Sequence, residues 1–90
     1  MYSIEIKNLR KVDKKTIKAN LTVVLNSNII INNCKLVYSE KKERYYVFLP
    51  STPYKDGYFD IVKVSDPLLD NILSAAVEAY KQADKPEIVL

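Results

Sequence analysis

Residues 16–25 have the sequence TIKANLTVVL, and they decide the fold because apolar and polar side chains alternate along them. A period of two places the two sets on opposite faces of a β-strand. The apolar set is Ile17, Ala19, Leu21, Val23 and Leu25, and the polar set is Lys18, Asn20 and Thr22. We therefore predict a strand with one apolar and one polar face.

Four further strands are predicted around this one. Residues 2–12 place isoleucines between charged residues, and residues 29–38 follow a turn signalled by Asn26-Ser27-Asn28. The apolar phase of the third strand slips at Asn32-Asn33, which predicts a β-bulge. The remaining two predicted strands are residues 45–49 and 58–64.

A helix is predicted after the strands. Asp66 is expected to cap it and Pro67 to be its first residue, where a missing N–H costs nothing. Pro86 is expected to prevent any continuation, so that residues 87–90 form a tail or a short edge strand. An apolar stripe with the spacing of a helix that packs on a core comprises Leu69, Ile72, Leu73, Ala76, Val77 and Tyr80. The predicted fold class is α+β, an antiparallel β-sheet of about five strands followed by a C-terminal α-helix.

One irregular stretch is predicted at residues 50–57, PSTPYKDG, which hold two of the four prolines and the only glycine. Asp56-Gly57 is typical of a turn because glycine accepts a positive φ without steric cost.

Length and composition indicate one small domain, which we place at residues 1–82, with a C-terminal tail at residues 83–90. A domain of this size buries only about 60% of its unfolded surface, so we expect a dimer formed through the sheet. The single cysteine permits no internal disulfide, which is typical of a reducing compartment. There is no apolar run like that of a signal peptide or a membrane span. We therefore expect a soluble, cytoplasmic protein with no membrane partner.

The net charge of +3 is unevenly distributed along the chain. Residues 1–45 carry ten Lys and Arg against four Asp and Glu, a charge of +6, whereas residues 46–90 carry four against seven, a charge of −3. A basic half beside a mildly acidic half favours a polyanionic partner. A solvated, lysine-rich surface is the alternative interpretation.

The residue types argue against catalysis. The chain has no histidine, which is the commonest general base and metal ligand. Cys34 lies in an apolar strand, where a buried structural thiol is more common than a nucleophile. One glycine cannot build a phosphate-binding loop. We therefore expect no enzyme activity, no cofactor and no metal site.

Two lysine-rich loops are candidates for phosphate binding. If the first four strands form a meander, the first and third loops lie at the same end of the sheet. That arrangement brings Lys14 and Lys15 close to Lys41, Lys42 and Arg44, and five cations could engage phosphates. The alternative is that exposed hairpin tips are lysine-rich because they must be soluble.

A collinear set of short motifs resembles the SpoVG (stage V sporulation protein G, septation regulator) family over about residues 3–80. The set is Leu9-Arg10-Lys11-Val12, Leu25-Asn26, Val47-Phe48-Leu49-Pro50-Ser51, Asp56-Gly57-Tyr58-Phe59, and Ile72, Ala75 and Tyr80 in the helix. The resemblance implies a small bacterial cytoplasmic protein that forms a homodimer. It also implies binding of DNA and RNA to regulate gene expression, including septation and sporulation.

The same resemblance implies a binding site in the loop after Pro50-Ser51, where the family usually carries a Lys-Arg pair. This sequence has Thr52-Pro53 at those positions, and Lys55 is the only cation of the loop. We expect nucleic acid to contact Ser51, Thr52 and Lys55 together with the five cations of the lysine-rich loops. The alternative is a dimeric protein–protein adaptor or scaffold whose nucleic-acid site has been lost.

Overall fold

The structure is a computed structural model that describes residues 2–12 and 14–83. It confirms the α+β class, with antiparallel strands followed by one C-terminal helix. The strands are β1 (Ile4–Lys11), β2 (Ile17–Leu25), β3 (Ile29–Ser39), β4 (Arg44–Phe48), β5 (Ser51–Tyr54) and β6 (Gly57–Asp60), and the helix is α1 (Asp66–Ala83).

The first four strands form an antiparallel meander in the order β1-β2-β3-β4, as the chain order suggests. The predicted turn between β2 and β3 is confirmed, with the N–H of Asn28 donating to the carbonyl of Leu25 at 3.0 Å. The two central residues, Asn26 and Ser27, have φ of 52° and 61°. Two consecutive positive φ angles are what a type I′ hairpin turn requires, and asparagine tolerates them better than most residues.

Two β-bulges with a positive φ shift the side-chain phase of the meander, and a third register shift lies between Ile17 and Ala19 in β2. Because of that shift Ile17 pairs with Val37 outside the core cluster, so the prediction that it shares the apolar face of Ala19 is wrong. The predicted bulge in β3 is confirmed, because the register with β2 slips after the Leu21–Cys34 pair and Asn33 has φ 60°. A second bulge, which was not predicted, lies in β1 after Lys7, with Asn8 at φ 53°. Each bulge adds one residue to its strand, so residues three apart, such as Ile31 and Cys34, can both face the core.

Helix α1 covers one face of the meander, and the hydrophobic core lies between them. The predicted stripe is confirmed, and the line of deepest burial along it is Leu68, Ile72 and Ala76, of which the prediction missed Leu68. The predicted Leu69, Leu73, Val77 and Tyr80 flank this line and are half-buried. The sheet side of the core consists of Ala19, Leu21, Val23, Leu25, Ile31, Cys34, Leu36 and Val47.

The start of α1 also differs slightly from the prediction. Asp66 is the first helical residue, and the carbonyl of Ser65 accepts the N–H of Leu69 at 2.9 Å, so Ser65 holds the cap position. Pro67 is the second helical residue. The N–H groups of the first turn have no partner within the helix, so the missing N–H of proline costs no hydrogen bond there. The negative charge of Asp66 lies at the positive end of the helix dipole, which is favourable.

The region after β4 differs most from the prediction. Residues 51–54, predicted to be irregular, form β5, and the predicted strand at residues 58–64 is reduced to β6. Among the described residues, the two strands pair only with each other and form a separate hairpin. Pro53 fits there because a hairpin outside the sheet leaves strand edges that need no further hydrogen bonds. The expected positive φ is found at Lys55, at 54°, and not at Gly57.

Helix α1 continues through Ala83. The predicted tail at residues 83–90 begins at the last residue of this helix, whereas the predicted stop at Pro86 and residues 84–90 of the tail lie outside the described residues. Within the described ranges, no helix combines the length and apolar character needed to cross a membrane.

Candidate functional site

Cys34, the one thiol of the chain, is fully buried between the sheet and the helix. Its Sγ lies 3.5 Å from the carbonyl oxygen of Ile31. Burial raises the pKa of this thiol to about 11, although a backbone hydrogen bond at Val23 acts in the opposite direction. The thiol is therefore protonated at neutral pH and inaccessible, which suits a packing role. In the described parts of the chain, no three His, Cys, Asp or Glu side chains are grouped to hold a metal ion.

The meander places the loops β1–β2 and β3–β4 at the same end of the sheet. The N–H of Tyr38 donates to the carbonyl of Thr16 at 3.0 Å, and Ser39 pairs with Arg44 across the next hairpin. These contacts align the ends of β2, β3 and β4. We call this region the basic end and define it by its exposed cations, Lys14, Lys15, Lys41, Lys42 and Arg44.

The charge of the basic end is lowered by Glu40 and Glu43, which belong to the same β3–β4 loop. In sequence, the β1–β2 loop adds Asp13, so five cations less three carboxylates leave a formal charge of +2. None of the five cations has a carboxylate within 4 Å among the described residues. The guanidinium carbon of Arg44 lies 4.9 Å from the ring centroid of Tyr46, which orients this side chain along the open side of the sheet.

A tyrosine cluster supports the basic end on the helix side. The ring centroids of Tyr38 and Tyr45 are 4.8 Å apart, and those of Tyr45 and Tyr80 are 6.2 Å apart. The Nζ of Lys11 lies 4.9 Å from the Tyr80 ring centroid. Tyr45 and Tyr46 thus face opposite sides of the sheet, as alternation within a strand predicts. Tyr45 contributes to the core and is not free to stack on a base.

The other predicted site residues lie on the β5–β6 hairpin. This hairpin follows the end of β4, whereas the basic end lies where β4 begins. Ser51, Thr52 and Lys55 are all exposed. The Nζ of Lys55 lies 5.4 Å from the ring centroid of Tyr54. Among the described residues, no Cα of the hairpin comes within 8 Å of a Cα in another strand or helix. The predicted site residues therefore form two groups, one at the basic end and one on a projecting hairpin.

The sheet face opposite α1 carries a third feature, which sequence reasoning did not identify. A groove of about 1140 Å³ crosses this open face and is bordered by the hairpin. Its floor includes Arg10, Asn20, Lys35 and Phe48, and its hairpin side includes Ser51, Tyr58 and Asp60. The polar face predicted for β2 already contained Asn20. The cations beside it could not be assigned to that face without the strand register and both bulges.

No protein-family model matches this sequence, and no curated protein or solved structure is significantly similar to it. The resemblance to the SpoVG family stays a prediction from the sequence motifs.

Proposed function

We propose that this chain is a non-catalytic nucleic-acid-binding protein of the bacterial cytoplasm, with a regulatory role like that of the SpoVG family. The observation that supports the proposal is the basic end, where two separate loops present five exposed cations at one edge of a sheet. DNA and RNA are the polyanions that such clusters of lysine and arginine most directly complement.

The basic end suits contacts to phosphates. Lys41 and Lys42 lie in a tight loop where the N–H of Lys42 donates to the Oγ of Ser39 at 3.2 Å. Their side chains are exposed and unpaired with carboxylates among the described residues. Contacts of this kind fix position on a backbone without reading sequence. We therefore infer modest affinity with a strong dependence on salt.

Binding of labelled DNA and RNA, single- and double-stranded, measured at several salt concentrations tests the proposal. Three to five phosphate contacts give a log–log slope of roughly −3 to −4.5 on duplex DNA. Replacing Lys41, Lys42 and Arg44 together by Ser should weaken binding to all sequences alike. Lys63→Ser, which removes an exposed cation outside the basic end, is the control and should change the slope little. A parent protein that binds neither DNA nor RNA at low salt would refute the proposal.

The hairpin is tested separately because it carries the loop that the family resemblance implicates. Lys55→Ser measures the contribution of its single cation. Thr52→Lys with Pro53→Arg introduces the pair found in the family and should strengthen binding if this loop contacts phosphates. A thermal melt of each variant shows whether the hairpin change has disturbed the fold, since Pro53 pairs with Tyr58 across the hairpin.

The alternative function is a dimeric protein–protein adaptor or scaffold, and the apolar surface of the hairpin favours it. Tyr54, Tyr58, Phe59 and the adjacent Ile61 are between 59% and 76% exposed, which is a large apolar surface for a small domain. Such side chains are typical of protein interfaces. If the parent protein binds no nucleic acid, this alternative replaces the first proposal.

A homodimer formed through the sheet is part of both proposals. In the part of the chain that the structure describes, β1 and β4 are the outer strands, whose free edges can pair with another chain, and β4 is the less interrupted of the two. Sedimentation analysis at tens of micromolar, roughly the range that detects weak dimers, measures this directly. A monomer at that concentration would contradict the dimer.

A further inference from the structure

We propose that the groove on the open face of the sheet binds a single-stranded nucleic acid, with a base stacked on Phe48 and phosphates held by Arg10 and Lys35. This inference rests on the proposed nucleic-acid-binding function and specifies a second site, away from the basic end, together with the form of nucleic acid that it takes.

The first observation is a transverse row of four side chains across the sheet. Arg10 pairs with Asn20, Asn20 pairs with Lys35, and Lys35 pairs with Phe48. The row therefore uses one residue from each strand of the meander and spans about 14 Å at the usual strand spacing. All four side chains are exposed and line the same groove.

The two bulges are what bring the cations into this row. Lys7 and Arg10 are three residues apart and would face opposite sides of a regular strand, but the bulge at Asn8 restores Arg10 to the open face. The bulge at Asn33 does the same for Lys35 relative to Asn32. Sheets carry bulges preferentially where a side chain is redirected near a functional site.

The charge of the row suits a phosphate backbone. Neither Arg10 nor Lys35 has a carboxylate within 4 Å among the described residues. Lys7, on the same face, is instead neutralised by Glu5 at 3.4 Å. Asp60 is the one carboxylate among the described residues that line the groove, and it lies on the hairpin side. The floor of the groove therefore has a local charge of +2.

Phe48 determines which form of nucleic acid fits. Its ring is 55% exposed, while the adjacent Val47 is buried, so Phe48 has no place in the core. Exposed aromatic rings on the face of a four-stranded sheet provide platforms on which unpaired bases stack. The faces of bases inside a duplex are already stacked and cannot reach such a ring. Tyr58 borders the same groove and is also exposed.

Side-chain amides complete the surface. Asn20 belongs to the row, and Asn32 and Asn33 line the groove beside it. The Oδ1 of Asn32 accepts a hydrogen bond from the Oγ1 of Thr22 at 3.2 Å. That bond fixes the orientation of the amide and leaves its NH₂ group free to donate. An amide offers both donors and acceptors, as the Watson–Crick edge of an unpaired base requires.

Fluorescence anisotropy with a labelled oligothymidine of about 12 nucleotides, which falls within the usual site size, and its matched duplex tests the inference. The parent should bind the single strand more tightly at the same salt concentration. Phe48→Leu keeps the apolar volume and removes the ring, and should weaken single-strand binding by roughly 5- to 150-fold with little effect on the duplex. Phe48→Tyr should retain single-strand binding because it keeps a stacking ring.

The charges and the controls are tested in the same assay. Arg10→Gln with Lys35→Gln should reduce the salt slope on the single strand by about 1.4, the value expected for two phosphates. Tyr2→Leu removes an exposed ring outside the groove and away from the predicted site residues, and should leave binding unchanged. A thermal melt equal to that of the parent verifies that each variant is folded.

Three outcomes would overturn the inference. If the parent binds nucleic acid but Phe48→Leu changes nothing, the groove is not the site, although the proposed function stands through the basic end. If the parent binds no nucleic acid at low salt, the proposed function and this inference both fail. If Phe48→Leu converts a dimer of the free protein to monomer in sedimentation, the groove is occupied by a second copy of the chain.

Discussion

The two faces of the four-stranded sheet are built from the same strands and differ in almost every property. The covered face presents side chains such as Val23 and Leu36, which have no exposed surface, to helix α1. The open face presents amides, cations and the ring of Phe48 to solvent. This difference indicates that the covered face determines the stability of the fold. Side chains of the open face can serve binding, because changing them alters the free energy of unfolding little.

The largest expected effect comes from a substitution on the covered face. Ile72 is 0% exposed at the centre of α1, so Ile72→Ala should lower the free energy of unfolding by about 2–5 kcal/mol. That is a large share of the total stability of a small domain. Urea denaturation followed by circular dichroism measures the change. An unaltered midpoint would show that α1 does not pack on the sheet as described.

A second expected effect concerns the thiol buried in that face. Because the pKa of Cys34 is raised to about 11 in the folded state, the thiolate is better tolerated in the unfolded chain. The contribution of the thiol to stability is therefore complete below the unfolded pKa and is lost as pH rises toward the folded pKa, by roughly 1.4 kcal/mol for each pH unit between them.

Comparing the parent with Cys34→Ala from pH 7 to pH 11 isolates the contribution of this thiol from other effects of pH on stability. The variant is less stable at pH 7 because a cavity replaces the sulfur. The gap between the two proteins should narrow above about pH 9 as the unfolded thiol ionises. A constant gap over that range would indicate that Cys34 is not desolvated in the folded state.

A third prediction tests the bulges, which determine the face of the sheet on which each residue lies. Asn33 has φ 60°, where β-branched residues are strained, so Asn33→Val should cost about 1–2 kcal/mol. Asn33→Gly is the matched control, since glycine adopts this φ without strain and should leave stability within about 0.5 kcal/mol. Equal destabilisation by both variants would mean that the asparagine side chain, and not the backbone angle, is required.

The smallest expected effect lies on the open face. Ile30 is 64% exposed and pairs with Val24 on the side opposite α1. Ile30→Ala should therefore change the free energy of unfolding by no more than about 0.5 kcal/mol. Thermal denaturation beside Ile72→Ala gives the direct comparison of the two faces. A loss comparable to that of Ile72→Ala would show that the open face is covered in solution.

Much of the covered face could be predicted from sequence because its signals are local. The alternation in β2, the phase slip at Asn32-Asn33 and the spacing of apolar residues in α1 each depend on a few adjacent positions. Leu68 was not predicted to be buried, because the rotation of the helix about its axis is set by packing on the sheet and not by periodicity.

The hairpin and the open groove could not be predicted, for two different reasons. Pro53 and Gly57 are residues that disfavour strands, so the hairpin lacks the composition by which strands are found. The row from Arg10 to Phe48 exists only through the register of three strand pairs, and the unpredicted bulge at Asn8 decides where Arg10 lies. The basic end could be predicted because it depends only on the meander order of the first four strands. Strands that are consecutive in the chain usually lie side by side in the sheet, which gives this order.

The position of α1 after all the strands of the sheet has a consequence for synthesis on the ribosome. Consecutive hairpins can pair within microseconds of emerging, so the sheet can form as soon as Phe48 is released. The helix that covers it ends 35 residues later, at Ala83. At ordinary translation rates that interval lasts roughly 2–7 s. During each round of translation we expect the nascent chain to expose its apolar sheet face for seconds. In this interval a chaperone or a neighbouring nascent chain can bind that face.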